Sequence, residues 1–473
     1  MTTTTPRELD RGTEHARRSR NATLGAFLGF FVDMFDIYLP IVALAPAIGY
    51  FVAGTLSSSD RSLVTSLIFV ATLVGRPIGA FVFGYYADRI GRKRATITAL
   101  SGCGVLTIII AVLPGYQQWG SLSLVLFIAL RFVVGIFVGG EYTAASPLAM
   151  EYSPKQRRGR NGGLIMSGFP LAFVAISILT LVMLHLAPAG ALDSPYIQWG
   201  WRVPFLFGGL LALSFAWYFA RHVEESDLFE QAGGTSAPIK QLFRGQNLRN
   251  FGQVFVLMTG FWLMLNTVTA ILPGTLKSHR FGLTGTQTSV VLIVAFLAAA
   301  AGYVISGIVS QRVGRRRFLI RWGLMAATAG TGVYYVLLSI APSNLTAVIA
   351  LTTVTVVLVT SHWGLATVYI NERFHTGVRA SGFGLGYSLA VVGPAFYAFY
   401  QAQLARVMTS TYTVLPLLVI GALLVAAGAA MGPETKDVDF ADPEPGNHPT
   451  QSEHTPDSVP TMALPVATAP AHG

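Results

Sequence analysis

One pattern repeats along all but the ends of this 473-residue chain: an apolar run of about twenty residues, a short polar break, then another run. Such runs fall near 24–52, 61–84, 95–113, 121–146, 161–186, 201–220, 250–274, 288–310, 318–340, 346–370, 380–405 and 412–432. About twenty apolar residues carry a helix across the hydrocarbon of a bilayer. Nothing in hydrocarbon can hydrogen-bond a bare peptide group, so each run must satisfy its own backbone as a helix. Charged residues make up 11% of the chain and mean hydropathy is +0.56, whereas a soluble domain carries about 25% charge. The expected fold class is therefore an all-α membrane protein with twelve transmembrane helices.

Charge placement gives the direction. With the N-terminus inside, 25 of the 32 Lys and Arg fall on cytoplasmic segments and five on external ones. Arg76 and Arg131 remain within spans. That bias predicts cytoplasmic N- and C-termini in a plasma or inner membrane. The net charge of +10 is then a topology signal, and no nucleic-acid partner is expected. A single cysteine, Cys103, excludes an internal disulfide and sits in an apolar run, as inert packing would. The first twenty residues are polar and Arg-rich, without the pattern of a cleavable leader. The organisation expected is an N-terminal segment 1–23, a six-helix bundle 24–220, a central loop 221–249, a second bundle 250–432 and a disordered acidic, Pro-rich tail 433–473.

The two halves repeat each other. Gly84-x-x-x-Asp88-Arg89-x-Gly91-Arg92-Lys93 after span 2 returns as Gly307-x-x-x-Gln311-Arg312-x-Gly314-Arg315-Arg316 after span 8, an offset of 223. Glu151, seven residues before Arg158, returns as Glu372 before Arg379, an offset of 221. Two parallel six-helix halves around a central cavity form a transporter architecture.

Within the spans, acids are scarce: only Asp33, Asp36 and Glu141. A carboxylate at mid-membrane costs on the order of 2.5–3.5 kcal/mol on insertion scales, so its presence points to function. Asp33 and Asp36 are three apart and share a helix face. Counting 1.5 Å per residue, they and Arg131 of span 4 each reach the bilayer middle, about 14–18 Å deep, from opposite sides. An ion pair that exchanges protons during a transport cycle is expected of Asp36 and Arg131, with Asp33 beside it. The competing reading is a permanent pair that holds spans 1 and 4 together. Arg131 is also the expected anchor for an anionic substrate, with Asn266 and His362 as polar groups of the second half that could face it. His362 reads more simply as a packing histidine, and Arg76, next to Pro77 and Gly79, as a structural residue. Gly135 and Gly139 follow Arg131 at four-residue steps, as close helix packing requires.

The Gly84 to Lys93 segment resembles the loop signature of the major facilitator superfamily. Asp33-Met34-Phe35-Asp36, Arg76-Pro-Ile-Gly79, Arg131-Phe-x-x-Gly135-x-x-x-Gly139-Gly140-Glu141, Trp199-Gly-Trp-Arg202 and Glu224-Glu225 resemble its metabolite:H⁺ symporter branch. That branch commonly has Glu-Trp-Tyr-Asp where this chain has Asp33 to Asp36, and an acid where it has Gln311. The resemblance implies two pseudo-symmetric bundles around a central cavity and proton symport of a small metabolite. It implies a gate in which Asp88 engages the start of span 11 near Ala380, within a network of Gly84, Arg89, Gly91, Arg92, Glu141, Glu151, Arg158, Glu372 and Arg379. Glu141 would join Arg89 or Arg92 there.

The function expected is import of a small organic anion or zwitterion with protons. Alternatives are an exporter, an antiporter or a sugar porter of the same fold, or a transporter-like sensor that signals through its tail. Span 5 reads Ser167-Gly-Phe-Pro170-Leu-Ala and lacks the Gly-Pro-x-x-Gly-Gly run typical of exporters. An enzyme is not expected: the nine His show no ligand-like pairing at i, i+4, and there is no Walker-type phosphate loop. Catalytic residues, metal and cofactor are each expected to be none. The partners expected are the metabolite, protons and the bilayer, with the protein a monomer.

Overall fold

A computed structural model describes residues 6–54, 58–225, 238–278, 280–340 and 344–440. Every regular element among them is helical. The spans are α1 Ala16–Tyr50, α2 Leu67–Ile90, α3 Arg92–Ala111, α4 Ser121–Tyr152, α5 Lys155–Leu186, α6 Tyr196–His222, α7 Gly245–Lys277, α8 Gly285–Val313, α9 (315–339), α10 Leu345–Asn371, α11 Thr376–Leu404 and α12 Ser410–Ala430. All but α9 are long and apolar enough to cross a membrane. Arg315, Arg316, Arg317 and Arg321 crowd the first turns of α9, and Gly323, Gly330 and Gly332 dilute the rest.

The same packing pairs recur in both halves. In the first, α2 lies on α4 and α3 on α6; in the second, α8 lies on α10 and α9 on α12. The halves meet along two seams, α2 against α11 and α5 against α8. The α2/α4 crossing is built on Gly75, Gly79, Gly135 and Gly139, where an added Cβ would strike the opposite backbone. Without driving force from the lipid tails, this direct backbone contact is what binds the helices.

Two helices run past their expected ends. The apolar run of span 2 stops near residue 84 but α2 continues to Ile90, and span 4 stops near 146 but α4 continues to Tyr152. Within these extra turns Asp88 and Glu151 bury their carboxylates against partners from the second bundle, while Arg89 and Ile90 stay exposed. Gly91 and Gly314 then break the chain with φ of 110° and 102°, values that strain any residue with a Cβ. Each break precedes a helix whose N-terminus is met by an acid. Lys93 N donates to Glu225 (3.0 Å) and Arg315 N to Glu434 (2.6 Å). A carboxylate there opposes the helix dipole.

Glu434 belongs to the stretch expected to be disordered, and here that expectation fails for residues 433–440. Thr435 donates to Glu372 (2.7 Å), the Val438 carbonyl accepts from Arg158 (2.7 Å), and Phe440 is buried. Partners on both bundles hold this short strap in place. The remainder of the tail, 441–473, lies outside the described residues, as does 226–237 of the central loop.

Candidate functional site

The buried charges form two layers. The first lies inside the spans. Arg131 donates from Nη1 to Asp36 Oδ2 (2.7 Å), from Nη2 to the Asp36 carbonyl (3.0 Å) and from Nε to Thr72 Oγ1 (3.0 Å). Thr107 Oγ1 donates to the other Asp36 oxygen (2.5 Å). The pair expected from depth is thus formed, and it ties α1, α2, α3 and α4 together. Each nitrogen of Arg131, expected to anchor an anionic substrate, donates a hydrogen bond within the first bundle.

Asp33 has a different environment from Asp36, although the two were expected to share one face. Its carboxyl lies close to that of Glu141 on α4. Two carboxylates held close together repel one another when both are ionised. Neither acid finds a hydrogen-bond donor among the surrounding groups. Glu141 was expected beside Arg89 or Arg92; the structure instead packs it against Gly29 and Asp33 of α1. Ten residues separate it from Arg131, and at about 100° per residue that turns it roughly a quarter circle around α4.

Arg76, expected to be structural, completes the group. It is fully buried, and none of its three nitrogens makes a hydrogen bond. Its guanidinium faces the second bundle, 5.4 Å from the Trp262 ring and 5.2 Å from the Tyr387 ring. Leaving a charged group buried without partners costs more than the 1–3 kcal/mol typical of a neutral one, so Arg76 is suited to a ligand's charge. Trp262 and Tyr387 carried no sequence signal, since an aromatic in an apolar run reads as core.

Asn266 donates to the Pro394 carbonyl (2.9 Å) and so braces α7 against α11. His362 lies where α10 tightens into a 3₁₀ turn, Ser361–Leu365. Its ring stands edge-on to Phe261, centroids 4.2 Å apart, and neither ring nitrogen has a partner.

The second layer closes the face on which α2 and α4 end and α11 begins. Asp88 accepts from Ala380 N (3.1 Å), Ser381 N (2.8 Å) and Ser381 Oγ (2.7 Å). Gly84, one turn earlier, lets α2 approach so closely that a Cβ there would stand 3.1 Å from Ser381 Cα. Glu151 receives both Arg92 from its own bundle and Arg379 from the other. Arg92 also donates to the Thr376 carbonyl (3.1 Å). The second-half counterpart, Glu372, pairs with Arg315 (3.3 Å). Arg158 instead stacks on Phe440 at 3.6 Å, with Arg379 on the same ring at 4.0 Å. Arg89 does not join this network; it turns outward onto Tyr85.

Among the described residues no group of His, Cys, Asp or Glu could hold a metal. The profile of the Major Facilitator Superfamily matches residues 26–398. The inner membrane metabolite transport protein YhjE of Escherichia coli is 29% identical, over 81% of this chain and 87% of that protein. The citrate-proton symporter of Klebsiella pneumoniae is 30% identical, over 78% of this chain and 82% of that protein. The solved structure of the proton:xylose symporter XylE bound to 6-bromo-6-deoxy-D-glucose overlays with a TM-score of 0.70 at 18% identity, covering 88% of this chain and 95% of that one. Family and relatives are transporters rather than enzymes, and the fold is theirs. The chain belongs to the Major Facilitator Superfamily, as a multi-pass membrane transporter related to metabolite permeases.

Proposed function

We propose that this transporter imports a small organic anion or zwitterion of the carboxylate type together with protons. It works by alternating access as a monomer, with both termini cytoplasmic in the plasma or inner membrane. One observation carries the reading: Arg76, Asp33 and Glu141 are fully buried, Arg76 faces the second bundle, and none of the three has an ion pair among the described residues. A carboxylate substrate fits Arg76 by charge and by the paired N–H geometry of guanidinium. Trp262 and Tyr387 would bound its non-polar part. A substrate that neutralises Arg76 removes the cation that opposes proton binding at Asp33 and Glu141. Substrate and proton then favour one another, which is what symport needs. Asp36 and Arg131 hold α1 and α4 as one moving unit.

In this cycle the layer around Asp88 and Glu151 is the inner gate. It must part for release, with Asp88 leaving the α11 N-terminus and Glu151 letting Arg379 go. The relative named a citrate-proton symporter supports both the substrate class and the coupling ion.

Reconstituted protein in proteoliposomes tests the reading. With an outward-acidic gradient, at least one of citrate, smaller dicarboxylates, monocarboxylates or betaines should accumulate, and a protonophore should abolish it. Accumulation of sugars alone, or efflux driven by the same gradient, would replace this reading with a sugar porter or an exporter.

A further inference from the structure

Away from the transport path, a groove of about 850 Å³ lies between α1 and the start of α5, on the face that carries the termini. Arg17, Arg20, Arg157 and Arg160 line it, with Leu24 and Leu164, and no acid is among its lining residues. Arg17 has counter-charges in Glu224 (3.7 Å) and Glu14 (3.8 Å). Arg20, Arg157 and Arg160 have no ion pair among the described residues.

The two helices carry the same sequence of chemistry. On α1, Arg17, Arg20 and Leu24 stand at i, i+3 and i+7; on α5, Arg157, Arg160 and Leu164 have the same spacing. Those offsets keep each set on one helix face. Each face therefore grades from guanidinium to leucine about 6 Å deeper, at 1.5 Å rise per residue. Leu24 and Leu164 are 42% and 37% exposed, as side chains that meet acyl chains are.

We infer that this groove binds an anionic phospholipid of the cytoplasmic leaflet, with its phosphate among the arginines and its chains along Leu24 and Leu164. The charge complementarity favours this occupant: basic clefts between spans on the cytoplasmic side attract acidic headgroups, and each Arg near such a surface contributes about 1 kcal/mol. A zwitterionic lipid would satisfy the leucines but leave the cluster without net compensation. The inference does not depend on the substrate or on proton coupling.

Titration of the purified full-length protein in neutral detergent tests it, read by native mass spectrometry or lipid fluorescence. Three probes serve: phosphatidylglycerol, phosphatidylcholine with the same chains, and inorganic phosphate. Phosphatidylglycerol should bind preferentially and more weakly as salt rises. The triple variant Arg20→Gln, Arg157→Gln, Arg160→Gln should bind it about 100-fold more weakly, at about fivefold per Arg. The matching triple Lys variant should retain most of the binding, which separates lost charge from lost folding. Undiminished binding by the Gln variant would overturn the inference. So would equal binding of phosphatidylcholine, which indicates only an apolar cleft, or displacement by equimolar phosphate, which indicates a free-anion site.

Discussion

Single charges decide what this molecule can do, and two arginines of the first bundle illustrate how. Arg131 is fully satisfied by Asp36, Thr72 and the α1 backbone, whereas Arg76 has aromatic rings in front of it and no acceptor. Depth along a helix was readable from sequence, so the meeting of Asp36 with Arg131 was legible. Azimuth around the helix was not, because every face of a buried span is apolar. Hence Glu141 was expected with the gate, and Arg76 was expected to be structural. Replacing Arg76 by Gln should raise the half-saturation concentration on the order of tenfold to hundredfold, the range for a lost hydrogen bond to a charged group. Binding measured on purified protein checks this, and Arg76→Lys should recover only part, because Lys cannot bind a carboxylate in the same fork. Asp36→Asn should act differently. Taking one partner from a buried pair costs about 3–5 kcal/mol, so its main effect should be a lowered unfolding midpoint in detergent.

At the scale of elements, the repeat marked the charged loops of both halves, and the resemblance to the superfamily implied that they form a gate. The matched motifs place Gly91 and Gly314 at equivalent breaks, and an acid reaches the following helix in both halves. Glu225 was visible as part of a motif. Glu434 was hidden, because eight residues at the head of a polar tail look like the tail. This difference predicts a sharp boundary for truncation. A chain ending after Phe440 should transport normally, whereas one ending after Gly432 removes Glu434, Thr435 and Phe440 together. The shorter chain should lose uptake, and cysteine labelling of the gate should report it open for more of the time. Equal uptake by both chains would assign the strap no role. Asp88→Asn weakens the α11 junction by removing a charge from a helix N-terminus, worth about 0.3–2 kcal/mol. Uptake should fall severalfold or more while membrane abundance, measured by immunoblot, stays unchanged.

For the whole molecule, hydropathy was enough to define twelve helical stretches, and the repeated loop motifs to define two related halves. The exception, α9, is helical where expected but is not among the helices apolar enough to cross a membrane. What remained illegible was how the halves face each other. That relation brings Trp262 and Tyr387 of the second bundle to Arg76 of the first, from positions about 190 and 310 residues away. Coupling in the proposed cycle thus rests on a carboxyl pair in the first bundle taking up a proton as substrate is held between the bundles. Asp33→Asn in proteoliposomes measures this most directly. The variant should still exchange labelled for unlabelled substrate at zero gradient, yet fail to concentrate it when an outward-acidic gradient is imposed. Accumulation at the wild-type level by that variant would contradict the account.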